Sequence, residues 1–94
     1  MNSGNQPRSM NQEIFQMGLS TESISAYLLC CGLTDGGDTI STKNLVEIWN
    51  SSKETLLKSL GDLEEKRILR KALADLEGNA VYELTDVHTW SLSA

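Results

Sequence analysis

Residues 40–85 read ISTKNLVEIWNSSKETLLKSLGDLEEKRILRKALADLEGNAVYELT, and a change of period inside this stretch decides the fold. Before Arg67 the apolar residues keep helical company: Leu45, Val46, Ile48 and Trp49, then Leu56, Leu60 and Leu63 with Leu57 beside them. Recurrence every third or fourth position holds such residues on one side of an α-helix. Residues 50–52 break the pattern, and Ser51 with Glu54 has the S-x-x-E spacing of a capping box, so a new helix is expected there. Past Arg67 the pattern alternates. Leu69, Lys71 and Leu73 are set against Ile68, Arg70 and Ala72, and Ala80, Tyr82 and Leu84 against Val81 and Glu83. Period two marks strands, and residues 75–79 with Gly78-Asn79 join them as an antiparallel hairpin. The order is short helix, turn, helix, hairpin.

Upstream, Ser20 is placed to cap a first helix, with Leu19 and Ile24 as its hydrophobic staple. Ile24, Tyr27, Leu28 and Cys31 form its stripe, and Gly32 is expected to end it. Asp35 and Asp38 flank Gly36-Gly37 without the spacing of a calcium loop, so residues 34–38 read as a solvated turn. Thr39 and Ile40 suit a very short strand. Ser41 then caps the second helix, which the density of apolar residues predicts to be well buried. Residues 1–12 contain the single proline, Pro7, and no apolar period; they read as a disordered N-terminal arm preceding one domain over 13–94. Thr85-Asp86 is placed to cap a last short turn, and Trp90 to pack back on the core.

Composition limits function. The chain has 94 residues, 39% of them apolar, enough for one modest core. Thirteen acidic against eight basic residues give a net charge of −5, which disfavours indiscriminate binding to polyanions but allows a local basic face. Cys30 and Cys31 are adjacent, about 3.8 Å between Cα atoms, too close for an ordinary disulfide; they read as reduced thiols in a helix, at least one of them buried, in a reducing cytoplasm. No run approaches the ~18 apolar residues of a membrane span, and no secretory leader is evident. His88 has no partner at a catalytic spacing, the two cysteines and one histidine fall short of a zinc set, and no Gly-rich phosphate loop occurs. The expectation is therefore no enzyme, no metal and no cofactor.

Residues 63–70, Leu-Glu-Glu-Lys-Arg-Ile-Leu-Arg, and residues 81–86, Val-Tyr-Glu-Leu-Thr-Asp, carry a resemblance. The first resembles the L-E-E-K-G-x-[IL]-x-R passage from recognition helix into wing of the winged helix-turn-helix family, especially bacterial transcriptional regulators of the MarR and related types. The second resembles the closing wing strand of that family, Y-x-L-T-[DE]. The resemblance covers about residues 20–86. It implies a small α+β fold, a three-helix core with a C-terminal two-stranded antiparallel wing, and a third helix, about 52–66, lying in the major groove of DNA. Two departures stand out. Arg67 occupies the position of the family's helix-ending glycine, which calls for a left-handed arginine or another backbone course. The wing tip carries Asp75 and Glu77 and no cation.

On the implied third helix the outward positions are Ser52, Lys53, Thr55, Lys58, Ser59 and Asp62. Lys53 and Lys58 suit phosphates or guanine edges, and Ser52, Thr55 and Ser59 suit phosphate or base. Lys66, Arg67, Arg70 and Lys71 form a second basic group at the base of the wing, and Arg67, Arg70 and Lys71 are its candidate DNA contacts. The partner so implied is double-stranded DNA. A second interpretation follows from the net charge and the acidic tip: a winged-helix module that docks on a protein instead. Phe15, Met17 and Trp90 are the expected apolar patch for pairing two copies into a homodimer.

Overall fold

The computed structural model describes residues 9–91. It is a small α+β domain of three α-helices and a three-stranded antiparallel sheet. After a 3-10 turn at Gln12–Gln16 come α1 (Thr21–Asp35), β1 (Ile40–Ser41), α2 (Thr42–Ile48), α3 (Lys53–Glu65), β2 (Leu69–Ala74) and β3 (Ala80–Leu84), with a final 3-10 turn at Val87–Thr89. The strand order is β1-β3-β2, so the hairpin gains a third strand from the two residues before α2. The very short strand expected at Thr39 and Ile40 is thus present one residue later, and it joins the sheet; a two-residue strand has too little alternation to reveal that pairing.

Each helix starts on a serine. Ser20, Ser41 and Ser52 accept the backbone N–H of Ser23, Asn44 and Thr55, satisfying donors that the first turn leaves orphaned. The cap of α3 is Ser52, one residue later than the expected capping box; Glu54 thereby moves out of the position from which it would reach back to the cap. The ends of α1 and α3 follow one design. The N–H of Asp38 bonds to Leu33 O at 2.8 Å and that of Gly37 to Thr34 O at 3.1 Å; the N–H of Ile68 bonds to Leu63 O at 2.8 Å and that of Arg67 to Glu64 O at 3.0 Å. Both are Schellman motifs, which require a left-handed residue just past the helix. Gly37 fills that position for α1 with φ 81°, and Arg67 for α3 with φ 64°. Helix α1 thus runs through Gly32, the expected stop, because the double hydrogen bond closes only around Gly37.

The core gathers Tyr27, Cys30 and Cys31 of α1, Leu45 of α2, Leu56, Leu60 and Leu63 of α3, and Ile68, Leu69 and Tyr82 of the hairpin. A fully buried leucine contributes about 1.5–3 kcal/mol, so the three on α3 dominate the packing of that helix. Burial pushes the Cys30 thiol up to about 12, with the neighbouring Cys31 adding to the shift, and raises Cys31 as well. Both thiols are free, as expected, and both are buried where at least one was expected to be. Helix α2 departs from expectation: only Thr42 and Leu45 are buried, while Val46 and Ile48 are exposed. Seven residues give a single buried face, and four apolar neighbours cannot share it.

Polar ties fix the layers. Thr42 Oγ1 accepts the N–H of Ala80 at 3.1 Å, joining α2 to β3, and Ser23 Oγ donates to Asp62 at 3.1 Å, joining α1 to α3. Trp90 meets Tyr27 edge to face with centroids 5.7 Å apart, the expected return to the core. Of the expected arm, residues 1–8 lie outside the described residues. From Ser9 the chain is tied to α1: Ser9 Oγ donates to Cys31 O at 3.2 Å, and the Asn11 N–H to the Tyr27 hydroxyl at 2.9 Å. Among the expected pairing residues, Met17 is buried, Trp90 half-buried and Phe15 exposed.

A left-handed L-residue costs about 1 kcal/mol. Arg67→Gly should therefore raise the unfolding free energy by roughly 1 kcal/mol in urea titration, with an unchanged m-value; loss of stability would show that the arginine side chain outweighs the backbone strain.

Candidate functional site

Helix α3 follows α2 after a short turn, and one indole fixes that turn. Trp49 Nε1 donates to Thr55 Oγ1 at 3.1 Å, and Thr55 Oγ1 donates to Ser52 O at 2.8 Å. Ser52 and Thr55, both expected to reach a ligand, are thus engaged in starting the helix, although Ser52 remains exposed. Ser59, expected outward, is buried at 3% exposure. It lies on the side of the helix that carries Leu56 and Leu63, and those leucines set which side turns in. Asp62 is half-buried and turned to Ser23, so it does not project from the surface as expected.

The exposed residues of α3 are Lys53, Glu54, Leu57, Lys58, Gly61 and Glu65. Their charges are unevenly spread. The first half carries Lys53 and Lys58 against Glu54; the second carries Asp62, Glu64 and Glu65 with no cation. Among the described residues neither Lys53 nor Lys58 forms an ion pair. The helix dipole adds positive potential to the same first half. Lys43, in the first turn of α2, is a further exposed cation that sequence reasoning passed over.

The base of the hairpin is less basic than its sequence. Arg67, Arg70 and Lys71 are exposed, but Arg70 is paired with Glu83, its cross-strand partner. These residues line an open groove of about 720 Å³ in which Glu64, Glu83 and Asp86 offset the three cations. Such a groove has no net preference for an anion. At the hairpin tip Asp75 closes the loop on itself, accepting the N–H groups of Glu77 and Asn79, each at 2.9 Å. Leu73 and Leu76 stand exposed beside it, at 69% and 106%. Leu57 on α3 is exposed as well, a feature that its place beside the inner stripe did not reveal.

Among the described residues no group of three or more His, Cys, Asp or Glu side chains could hold a metal ion, and no helix is long and apolar enough to cross a membrane. No family model, no curated protein and no solved structure matches this chain.

The hydrogen bonds from Asn79 hold the Asp75 carboxyl below the usual carboxylate range. A lowered folded value stabilises the loop above the unfolded value of about 3.9, and that support is lost as pH falls through the folded value. The amide shifts of Glu77 and Asn79 should therefore titrate together with a midpoint below about 3.9; a midpoint at or above that value would show that the loop contacts do not persist in solution.

Proposed function

We propose that this chain is a winged helix-turn-helix protein that binds double-stranded DNA with the N-terminal half of α3 and acts as a transcriptional regulator. In this assignment α2 and α3 are the helix-turn-helix, and β2 with β3 is the wing. The element order, the strand order β1-β3-β2 and the left-handed Arg67 at the junction support the assignment. The observation that carries the DNA interpretation is the division of charge on α3. Its exposed cations lie in the half that leads into a major groove, where Glu54 is the single acid, while the other three acids lie toward the far end, where Asp62 is withdrawn to Ser23. Lys43 is available for a flanking phosphate. Arg67 and Lys71, offset by Glu64 and Asp86 and with Arg70 shared with Glu83, add little to backbone binding from the base of the wing.

With so few cations one domain binds weakly, and two copies on paired half-sites supply the affinity of a regulator. Buried thiols suit a reducing cytoplasm. The acidic tip and the exposed Leu73 and Leu76 favour a second use, docking of the wing on a protein partner.

Fluorescence anisotropy with duplex DNA across a salt series tests the proposal. Affinity should fall as salt rises, and each phosphate-contacting lysine contributes about 0.9 to the logarithmic slope. Lys53→Gln and Lys58→Gln should each flatten the slope by about that amount without changing the melting temperature. Absence of binding at low salt by the folded protein would leave the protein-docking use in its place.

A further inference from the structure

The exposed arc of α3 has flanks and a centre. At about 100° per residue, Lys53 and Lys58 stand roughly 140° apart; Leu57, Gly61 and Glu54 fall between them in the first two to three turns, and Glu64 and Glu65 fall in the same arc only at the far end of the helix. Leu57 is 42% exposed, although its neighbour Leu56 is fully buried. Gly61 lies one turn further along, and a Cβ there would meet nothing within 4 Å, so the surface beside Leu57 is low and open. The cations therefore sit on both sides of an apolar and acceptor-bearing middle.

A helix seated in the major groove meets phosphates at its flanks and base edges at its centre. The apolar group on those edges is the C5-methyl of thymine. Glu54 fits the same zone, because a carboxylate accepts from the cytosine amino group and is repelled by phosphate. Leu57 offers no hydrogen bond, so the one feature of a base pair that it can distinguish is that methyl group. Scattered exposed leucines are common on protein surfaces; this one occupies the middle of the presented arc, with a lysine on either side.

Building on the DNA-binding function proposed above, we infer that Leu57 is a specificity-determining residue that packs against the 5-methyl group of a thymine in each half-site, while Lys53 and Lys58 set the register on the flanking backbones. The consequence is a target whose recognition depends on one methyl group per half-site.

The experiment selects bound duplexes from a random pool with the full chain, then replaces each thymine of the selected site by deoxyuridine, which removes only the methyl group. At one thymine per half-site the replacement should weaken binding roughly fourfold, the effect of one buried methyl. Leu57→Ala should weaken binding to the thymine duplex by at least as much and bind the thymine and deoxyuridine duplexes equally. Leu57→Met, which keeps an apolar contact, should retain the preference for thymine. The inference is overturned if duplexes are selected but no deoxyuridine replacement matters, or if Leu57→Ala keeps the full penalty. Failure to retain any duplex at low salt overturns the DNA-binding function itself and this inference with it. Loss of a dimer by Leu57→Ala in light scattering, with DNA affinity unchanged, assigns the residue to a protein interface instead.

Discussion

The geometry of the domain depends on the backbone at Arg67. There the chain leaves α3 in a left-handed turn and enters β2 within two residues. The turn is held from outside as well as by its own Schellman bonds. The Arg67 carbonyl accepts the Thr85 hydroxyl at 2.6 Å, the Thr85 N–H bonds to Ile68 O at 3.1 Å, and Trp90 Nε1 donates to the same Thr85 hydroxyl at 3.1 Å. The Ser91 N–H adds a bond to Lys66 O at 2.7 Å. Residues from 85 onward thus clasp the point where helix becomes strand. Because Leu63 and Ile68 on either side are fully buried, rotation of the hairpin about this point would expose both. A strained arginine persists where its surroundings over-determine it, and here they do.

From that junction the character of the surface follows. With the leucine stripe of α3 committed to the core, its outer arc and the outer face of the hairpin are exposed. The two differ in chemistry. The arc of α3 pairs lysines with a low apolar centre, whereas the hairpin tip pairs acids with exposed leucines. In the proposed function the helix addresses DNA and the hairpin tip a protein, and a net charge of −5 would confine the first interaction to a narrow face.

Much of this fold was legible in the residues, and the misses have local causes. The three serine caps of the helices compete only with their own neighbours: Ser20 and Ser41 stood clear, but Ser51 and Ser52 are adjacent and equivalent in type, so spacing alone selected the wrong one. Gly32 is a plausible helix end until Gly36-Gly37 follows within one turn, and only the hydrogen-bond closure around Gly37 settles the matter. Arg67 was legible as a strained position because the family resemblance implies a glycine there and the sequence has none. The faces of α3 were less legible. The spacing put Leu56, Leu60 and Leu63 on the inner stripe, and they are buried; how far Leu57, set beside it, turns out to solvent was not legible. Ser59 is polar and faces the core because Leu56 and Leu63 do. Asp62 looked like a repulsive surface charge until its partner Ser23, 39 residues away, came into view. Long-range partners of this kind leave no trace in local pattern.

The central claim is that the N-terminal half of α3 is the contact surface. Backbone amide shifts of the ¹⁵N-labelled protein, followed during titration with duplex DNA at low salt, test it most directly. The largest changes should cluster over residues 52–61, with a smaller response at Lys43 and Arg67 and little at Glu77. Changes confined to residues 72–79, or no change with the fold intact, would contradict it.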